Sequence, residues 1–212
     1  MSPKNIYYER CAQTIISNLQ KRRMEGYYYP TAKEAVEKAL SFLTPGCSAC
    51  SGGSMTLQDT GMMDALRARE DITFIDRESG KNPDEMLEIQ HRGFSCDYFF
   101  MSTNAITMDG ELVNTDGTGN RVAALIYGPK NVIILAGMNK VVSDVHSGIK
   151  RIRDIASSPN CIRLNRKTPC SVTGKCGNCL GDDSICSQTV ITRRSGTPGR
   201  IKVILVGEEL GY

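Results

Sequence analysis

Apolar residues recur at helical spacing in the first stretch of the chain, where Tyr8, Cys11, Ala12, Ile15, Ile16 and Leu19 fall on one stripe. This predicts a helix that packs on a flat surface. A second helix is predicted to begin at Thr31, an N-cap with Glu34 at the capping-box position, and to turn Ala35, Val36, Ala39, Leu40 and Leu43 inward. Further helical stretches are expected over residues 55–68 and 83–93. Four short runs are apolar at consecutive positions: Ile72-Thr73-Phe74-Ile75, Tyr98-Phe99-Phe100-Met101, residues 132–136 and residues 201–206. Strands covered on both faces read this way, so the four are expected to be buried and parallel. After the third run, Val141, Val142, Val145, Ile149, Ile152 and Ile155 trace an apolar stripe while Lys150, Arg151 and Arg153 face away, which predicts an amphipathic crossover helix. The resulting fold class is α/β: an open, mainly parallel sheet with helices on both faces, plus a Cys-rich C-terminal loop.

Composition narrows the picture. With 212 residues, 40% hydrophobic and 23% charged, the chain is expected to form one domain over residues 1–212, with an N-terminal helix within 1–30 and a Cys-rich insertion at 167–190 before the last strand. The net charge is only +3, no long Lys/Arg block occurs and tryptophan is absent. A nucleic-acid partner is therefore disfavoured, and a small anionic substrate or phosphate-bearing ligand fits better. No apolar run is long enough to span a bilayer, and the residues after Met1 are polar with no apolar leader core. A cytoplasmic protein is expected, with no membrane span, an oligomer being compatible, and the nine cysteines present as thiols or ligands.

Four of those cysteines crowd together. Cys170, Cys176, Cys179 and Cys186 form a C-x5-C-x2-C-x6-C run with almost no apolar residue between them. A segment unable to build a core needs another source of order. Four thiolates suit Zn²⁺ or an iron–sulfur cluster; the alternative, a disulfide pair in a secreted loop, requires an oxidising compartment. Cys47 and Cys50 form a second Cys-x-x-Cys, read either as a redox pair or stray ligands or as small buried hydrophobes.

Ligand chemistry in open α/β sheets collects where strands end and helices begin, and three loops qualify. In the first, Gly52 and Gly53 allow backbone amides to approach an anion, with Ser54 or Thr56 capping the next helix; an ordinary Gly-Gly-Ser turn is the competing reading. The second runs over residues 102–121. Asp109-Gly110 signals a type I′ hairpin that sets Asn104 and Thr107 near Asn114 and Asp116, and Gly117 and Gly119 lead into a helix opened by Asn120 and Arg121. Arg121 suits bidentate grip of a phosphate or carboxylate, and Asp116 suits general-base work, although turn formation alone also favours Gly, Asn and Asp. The third loop places Asn139 and Lys140 after the strand at 132–136, where a cation opposes the dipole of a following helix unless an anion arrives.

Taken together, Gly52-Gly53-Ser54-Met55-Thr56-Leu57, Ser102-Thr103-Asn104-Ala105-Ile106-Thr107, residues 110–124, Gly128-Pro129, Gly137-Met138-Asn139-Lys140, the closing cysteine run and residues 200–207 resemble the LUD (lactate-utilisation) domain family of bacteria. The resemblance covers nearly the whole chain, and the four-cysteine tail is similar to that of stand-alone members. It implies a fold similar to the group of ribose-5-phosphate isomerase, glucosamine-6-phosphate deaminase and CoA-transferase. In that group an early Gly/Ser/Thr loop, an Asp-rich loop with a Gly-rich turn and a lysine surround the ligand; Gly53, Ser54 and Thr56, then Asp116, Gly117 and Gly119, then Lys140 fall in the same order. No matching catalytic glutamate is found, and Asn120-Arg121 stands where those enzymes keep small residues. The resemblance implies a component of an iron–sulfur-linked L-lactate (2-hydroxy acid) oxidation system working beside iron–sulfur redox partner proteins. A self-sufficient isomerase- or transferase-type enzyme on a phosphorylated sugar or CoA thioester, or a non-catalytic ligand-binding or regulatory protein, remains the alternative.

Overall fold

The computed structural model describes residues 2–212. Helix α1 (Pro3–Lys21) starts at Ser2, whose hydroxyl accepts from the Asn5 amide, and buries Cys11, Ala12, Ile15 and Leu19. It ends earlier than the region assigned to it, because Glu25–Tyr29 is a strand, β1. Helix α2 (Ala32–Leu40) has the expected capping box between Thr31 and Glu34. Strand β2 (Ser48–Ser51) follows. The helical stretch expected over 55–68 is two helices, α3 (Met55–Asp59) and α4 (Met62–Arg67), broken at Gly61 with φ +74°. Then come β3 (Thr73–Ile75), α5 (Pro83–Gly93), β4 (Tyr98–Met101), β5 (Ala105–Thr107), β6 (Leu112–Asp116), α6 (Asn120–Ile126) and β7 (Asn131–Gly137). The chain closes with β8 (Val141–Val142), α7 (Val145–Arg151), a π-helical turn at Ile152–Ala156, α8 (Ser157–Arg163), α9 (Pro169–Thr173), β9 (Gln188–Thr192) and β10 (Ile201–Val206).

Six strands form one sheet in the order β1-β10-β7-β4-β2-β3, and every neighbouring pair in it is parallel. The four runs expected as buried parallel strands are all in it, though β3 lies at its edge with only Ile75 buried. The consecutive apolar residues of β7 and β10 are divided between the two faces. Val132, Ile134, Ala136, Val203 and Leu205 pack with Cys11, Ile15 and Leu19 of α1 and with Leu125 of α6. Ile133, Leu135, Ile204 and Val206 pack with Ala35 and Ala39 of α2 and with Leu57, Met62 and Leu66 of α3 and α4. The fold is thus α/β with helices on both faces of a mainly parallel sheet.

A second sheet, β8-β5-β6-β9, sits beside the first. Its β5–β6 hairpin pairs Ala105 with Val113 and Ile106 with Leu112. The turn is not type I′, since Gly110 has φ +83° but Asp109 is not in the left-handed region. A Gly110 amide to Thr107 carbonyl bond of 2.8 Å and a left-handed glycine closing the turn make it the three-residue, type I plus bulge connection. The expected amphipathic helix is also interrupted. Val141 and Val142 pair with Ile106 and Thr107 as a short strand, and Asp144 restarts the helix by accepting from the Ser147 amide at 2.7 Å. Arg151, expected on the outer face, is buried. Its guanidinium donates to the carbonyls of Asn139 (3.0 Å), Asn104 (2.6 Å) and Tyr212 (3.4 Å), which supplies the hydrogen bonds that burial removes from water. Among the described residues, no helix is long and apolar enough to cross a membrane.

Candidate functional site

The polar loop after β4, the end of β6 and the start of α6 meet at Arg121. Gly119, with φ +89°, lets the chain turn sharply enough to bring that residue back over the hairpin. The guanidinium then reaches five acceptors: Asn114 Oδ1 (2.5 Å), Asp116 Oδ1 (2.5 Å), Asn104 Oδ1 (2.8 Å), the Ser102 carbonyl (2.9 Å) and the Thr115 carbonyl (3.1 Å). The second oxygen of Asp116 accepts from the Val122 amide at 3.0 Å. Both side chains of the pair are about a tenth exposed or less, and Gly52 lies against the arginine stem, where an added Cβ would sit 3.1 Å from Arg121 Cγ. The expected corner of Asn104, Asn114, Asp116 and Arg121 therefore forms, but as a closed bracket. Arg121 is occupied by the protein rather than held free for bidentate contact, and the Asp116 carboxylate is paired with it.

Lys140 is different. It follows β7, on a short turn at Met138–Lys140 rather than at a helix N-terminus, and is only 4% exposed. Its Nζ meets two hydroxyls, Thr56 Oγ1 at 2.7 Å and Ser102 Oγ at 3.1 Å. Both hydroxyls can accept from it, because their own protons are directed to the carbonyls of Leu210 (3.3 Å) and Thr103 (3.4 Å). No carboxylate among the described residues pairs with the amine. Burial, helped by the charges of Arg151 and Arg121 and only partly opposed by Asp59, pulls its pKa down to about 7.

Lys140 and the bracket open into one polar cavity of about 240 Å³. The cavity lies at the carboxyl ends of the parallel strands: Gly53 and Ser54 follow β2, Arg77 follows β3, Ser102 and Thr103 follow β4, and Tyr212 lies beyond β10. Of the expected site residues it gathers Gly53, Ser54, Thr56, Asn104, Asp116, Gly117, Asn120, Arg121 and Lys140. Gly52, Asn114 and Gly119 support the wall from behind. Thr107 is spent on the hairpin, its hydroxyl accepting from the Glu111 amide at 3.0 Å, and Asn139 accepts from the Leu210 amide at 3.2 Å to pin the C-terminal segment. Four arginines and a lysine line the cavity against a single acidic side chain, Asp116. Three of those arginines were not singled out from sequence: Arg77, Arg163 and Arg166. The basic run Arg163, Arg166, Lys167 carried the signal, but only the end of α8 turns its first two members toward the cavity.

The cysteine run lines a neighbouring cavity of about 320 Å³. Cys170, Cys176, Cys179 and Cys186 all reach it, joined by Cys161 from α8, which the spacing alone did not include. Burial pushes the Cys161 thiol up to about 11. Burial acts on Cys170 as well, but hydrogen bonds from Thr168, Cys161 and Ser158 outweigh it and lower its pKa, so the thiolate of this pair is favoured on Cys170. Five cysteines around one cavity, with no histidine or carboxylate in its lining, are a donor set that fits a thiolate-bound metal or cluster. The sulfurs are not drawn into a cage: among the described residues, no three His, Cys, Asp or Glu side chains stand close enough to hold an ion. The other Cys-x-x-Cys, Cys47 and Cys50, is buried in and beside β2, and burial raises the Cys50 thiol.

The two cavities share walls. Thr115 and Ile185 line both, and a Cβ on Gly117 would meet the Ile185 backbone at 3.2 Å, so the glycine turn after β6 lies directly against the cysteine loop.

An α/β domain with a polar cavity at its strand ends and a cysteine loop beside it defines the class, and the sequence comparison supplies the family. The chain belongs to the LUD domain family, whose model matches residues 12–206. A DUF162 family protein from Deinococcus radiodurans has a similar structure, with a TM-score of 0.54 at 12% identity over 94% of this chain and 98% of that one. Ribose 5-phosphate isomerase from Plasmodium falciparum is matched with a TM-score of 0.34 at 16% identity over 53% of this chain and 52% of that one. No curated protein matches the sequence.

Proposed function

We propose that the chain is a component of an iron–sulfur-linked oxidation of L-lactate or a related 2-hydroxy acid, in which the polar cavity binds the small carboxylate and the cysteine cavity holds the cluster. The observation that carries this reading is the shared wall: Thr115 and Ile185 line both the cationic pocket and the pocket that gathers five cysteines. When bound, a cluster would supply one-electron transfer. The protein's own residues divide the remaining work. Arg121 and Asp116 hold the frame, Arg77, Arg163 and Arg166 set a positive potential for the carboxylate, and Lys140 meets the functional group beyond it.

Two experiments test this reading. Calorimetric titration with L-lactate, pyruvate and inorganic phosphate is expected to show saturable binding of at least one of them, weakened several-fold by Arg163→Gln together with Arg166→Gln; affinities untouched by that double change would place the anion elsewhere. Anaerobic reconstitution with iron and sulfide is expected to give a coloured protein whose iron is lost in Cys176→Ser with Cys179→Ser. Iron content equal in the double variant and the parent would remove the cysteine cavity from the proposal.

A further inference from the structure

Lys140 is placed for more than holding a charge. A protonated lysine has three N–H donors, whereas a neutral one has two donors and a lone pair. The surroundings offer two acceptors, Thr56 Oγ1 and Ser102 Oγ, whose own protons are directed to backbone carbonyls. Two acceptors satisfy the two N–H groups of the neutral amine and leave its lone pair unassigned. Lys140 is one of the residues lining the cavity, and Thr56 and Ser102, which hold its Nζ, line it too, so the amine stands at the cavity. Two cations, Arg121 and Arg151, act on it, no carboxylate pairs with it, and it is 4% exposed. Desolvation and neighbouring positive charge are the two conditions that turn a lysine into a nucleophile for carbonyl carbon. The anion-attracting arginines line the same cavity, so a ligand held by its carboxylate presents the adjacent carbon to the amine.

We propose that Lys140 is an amine nucleophile that forms a reversible imine with the carbonyl carbon of a small 2-oxo acid bound in the polar cavity. The proposal rests on the reading of that cavity as a carboxylate site and goes on to name the substrate class and the reacting atom. Nζ attacks C2 and the Nζ–C2 bond forms; the two protons the amine loses pass to the former carbonyl oxygen, the C2–O bond breaks, and water leaves as the C=N double bond closes, so no oxidant or reductant is consumed. Hydrolysis returns the free amine and the 2-oxo acid. The hydroxyls of Thr56 and Ser102 stand beside the reacting nitrogen, where they orient it during attack.

The test is reductive trapping of the full chain with pyruvate and sodium borohydride, with peptide mapping by mass spectrometry, run beside ligand-observed NMR of pyruvate and L-lactate. Hydride reduction of the imine fixes one carboxyethyl group on the amine. The expected result is that group on Lys140, at higher occupancy than on the exposed Lys130, diminished by excess phosphate or L-lactate, and absent from Lys140→Arg, which keeps a cation at the position. Pyruvate binding that phosphate or L-lactate displaces, with Lys140 unmodified after borohydride, would overturn the imine while leaving the carboxylate site standing. Absence of binding by both acids would overturn the site and the imine together.

Discussion

Arg121→Ala is expected to cost on the order of 3–5 kcal/mol of folding stability, the range for breaking one side of a buried ion pair. Five hydrogen bonds go at once, and Asp116 is left buried with only the Val122 amide for company. Asn104 and Asn114, both oriented by the guanidinium, lose their shared partner. Arg121→Lys recovers little, since an ammonium cannot span the fork between Asn114 on one nitrogen and Asp116 on the other. This differs from what sequence alone suggests, namely an arginine that can be removed at the expense of anion binding only. Urea unfolding of both variants decides it. A loss below about 1 kcal/mol, the scale of an exposed pair, would mean that the bracket does not hold the loops.

Lys140→Met is expected to stabilise the protein at neutral pH by a few kcal/mol, because it removes a buried amine that is costly to charge. The sign follows from linkage. The folded-state pKa is lowered to about 7 from 10.5, so between those values the unfolded chain holds a proton that the folded chain has released. The penalty is fully present below the folded pKa and is relieved as pH rises toward the unfolded one. Stability of the parent relative to Lys140→Met should therefore climb with pH across that window by up to about 1.4 kcal/mol per unit. The charged groups acting on the amine are Arg121, Arg151 and Asp59, and all three are present in both the parent and Lys140→Met, so the difference in slope belongs to Lys140. A difference independent of pH would show that Lys140 is charged in the folded protein throughout, contradicting both its desolvation and its role as an amine.

Much of the fold was legible because burial on both sheet faces leaves consecutive apolar residues, as in β7 and β10. Strands without that pattern escaped. Tyr27, Tyr28 and Tyr29 of β1 are each half-buried at the sheet edge, and Ser48-Ala49-Cys50-Ser51 reads as polar although β2 lies inside the sheet between β4 and β3. Ser48 is met by Asp97, whose carboxylate accepts from both its amide (2.9 Å) and its hydroxyl (2.8 Å), a partner 49 positions away, whereas the buried Ser51 hydroxyl has no partner among the described residues. The stripe through Val141 to Ile155 had the right period, but the Asp144 cap restarts the helix, a local signal stronger than a continuous apolar pattern. In the site, residue type announced the polar corner while geometry reversed the roles: Arg121 turned inward to the hairpin, and Lys140 became the group facing the cavity. Arg163 and Arg166 come from the end of α8 and the turn after it, and no spacing in the chain connects them to the loops at 53–56, 77 and 102–121; Cys161 of α8 joins the cysteine run from outside its spacing. The contact of Gly117 with Ile185, which joins the two cavities, is of the same kind.

The most direct measurement is a crystal structure of the protein grown with L-lactate or pyruvate. The expected result is the carboxylate in the cavity at the strand ends, facing Arg77, Arg163 or Arg166, with the adjacent carbon toward Lys140 Nζ and the Arg121–Asp116 bracket unchanged. Ligand bound outside that cavity, or bound inside it only after Arg121 has left Asp116 to grip the carboxylate, would contradict the division of roles between Arg121 and Lys140.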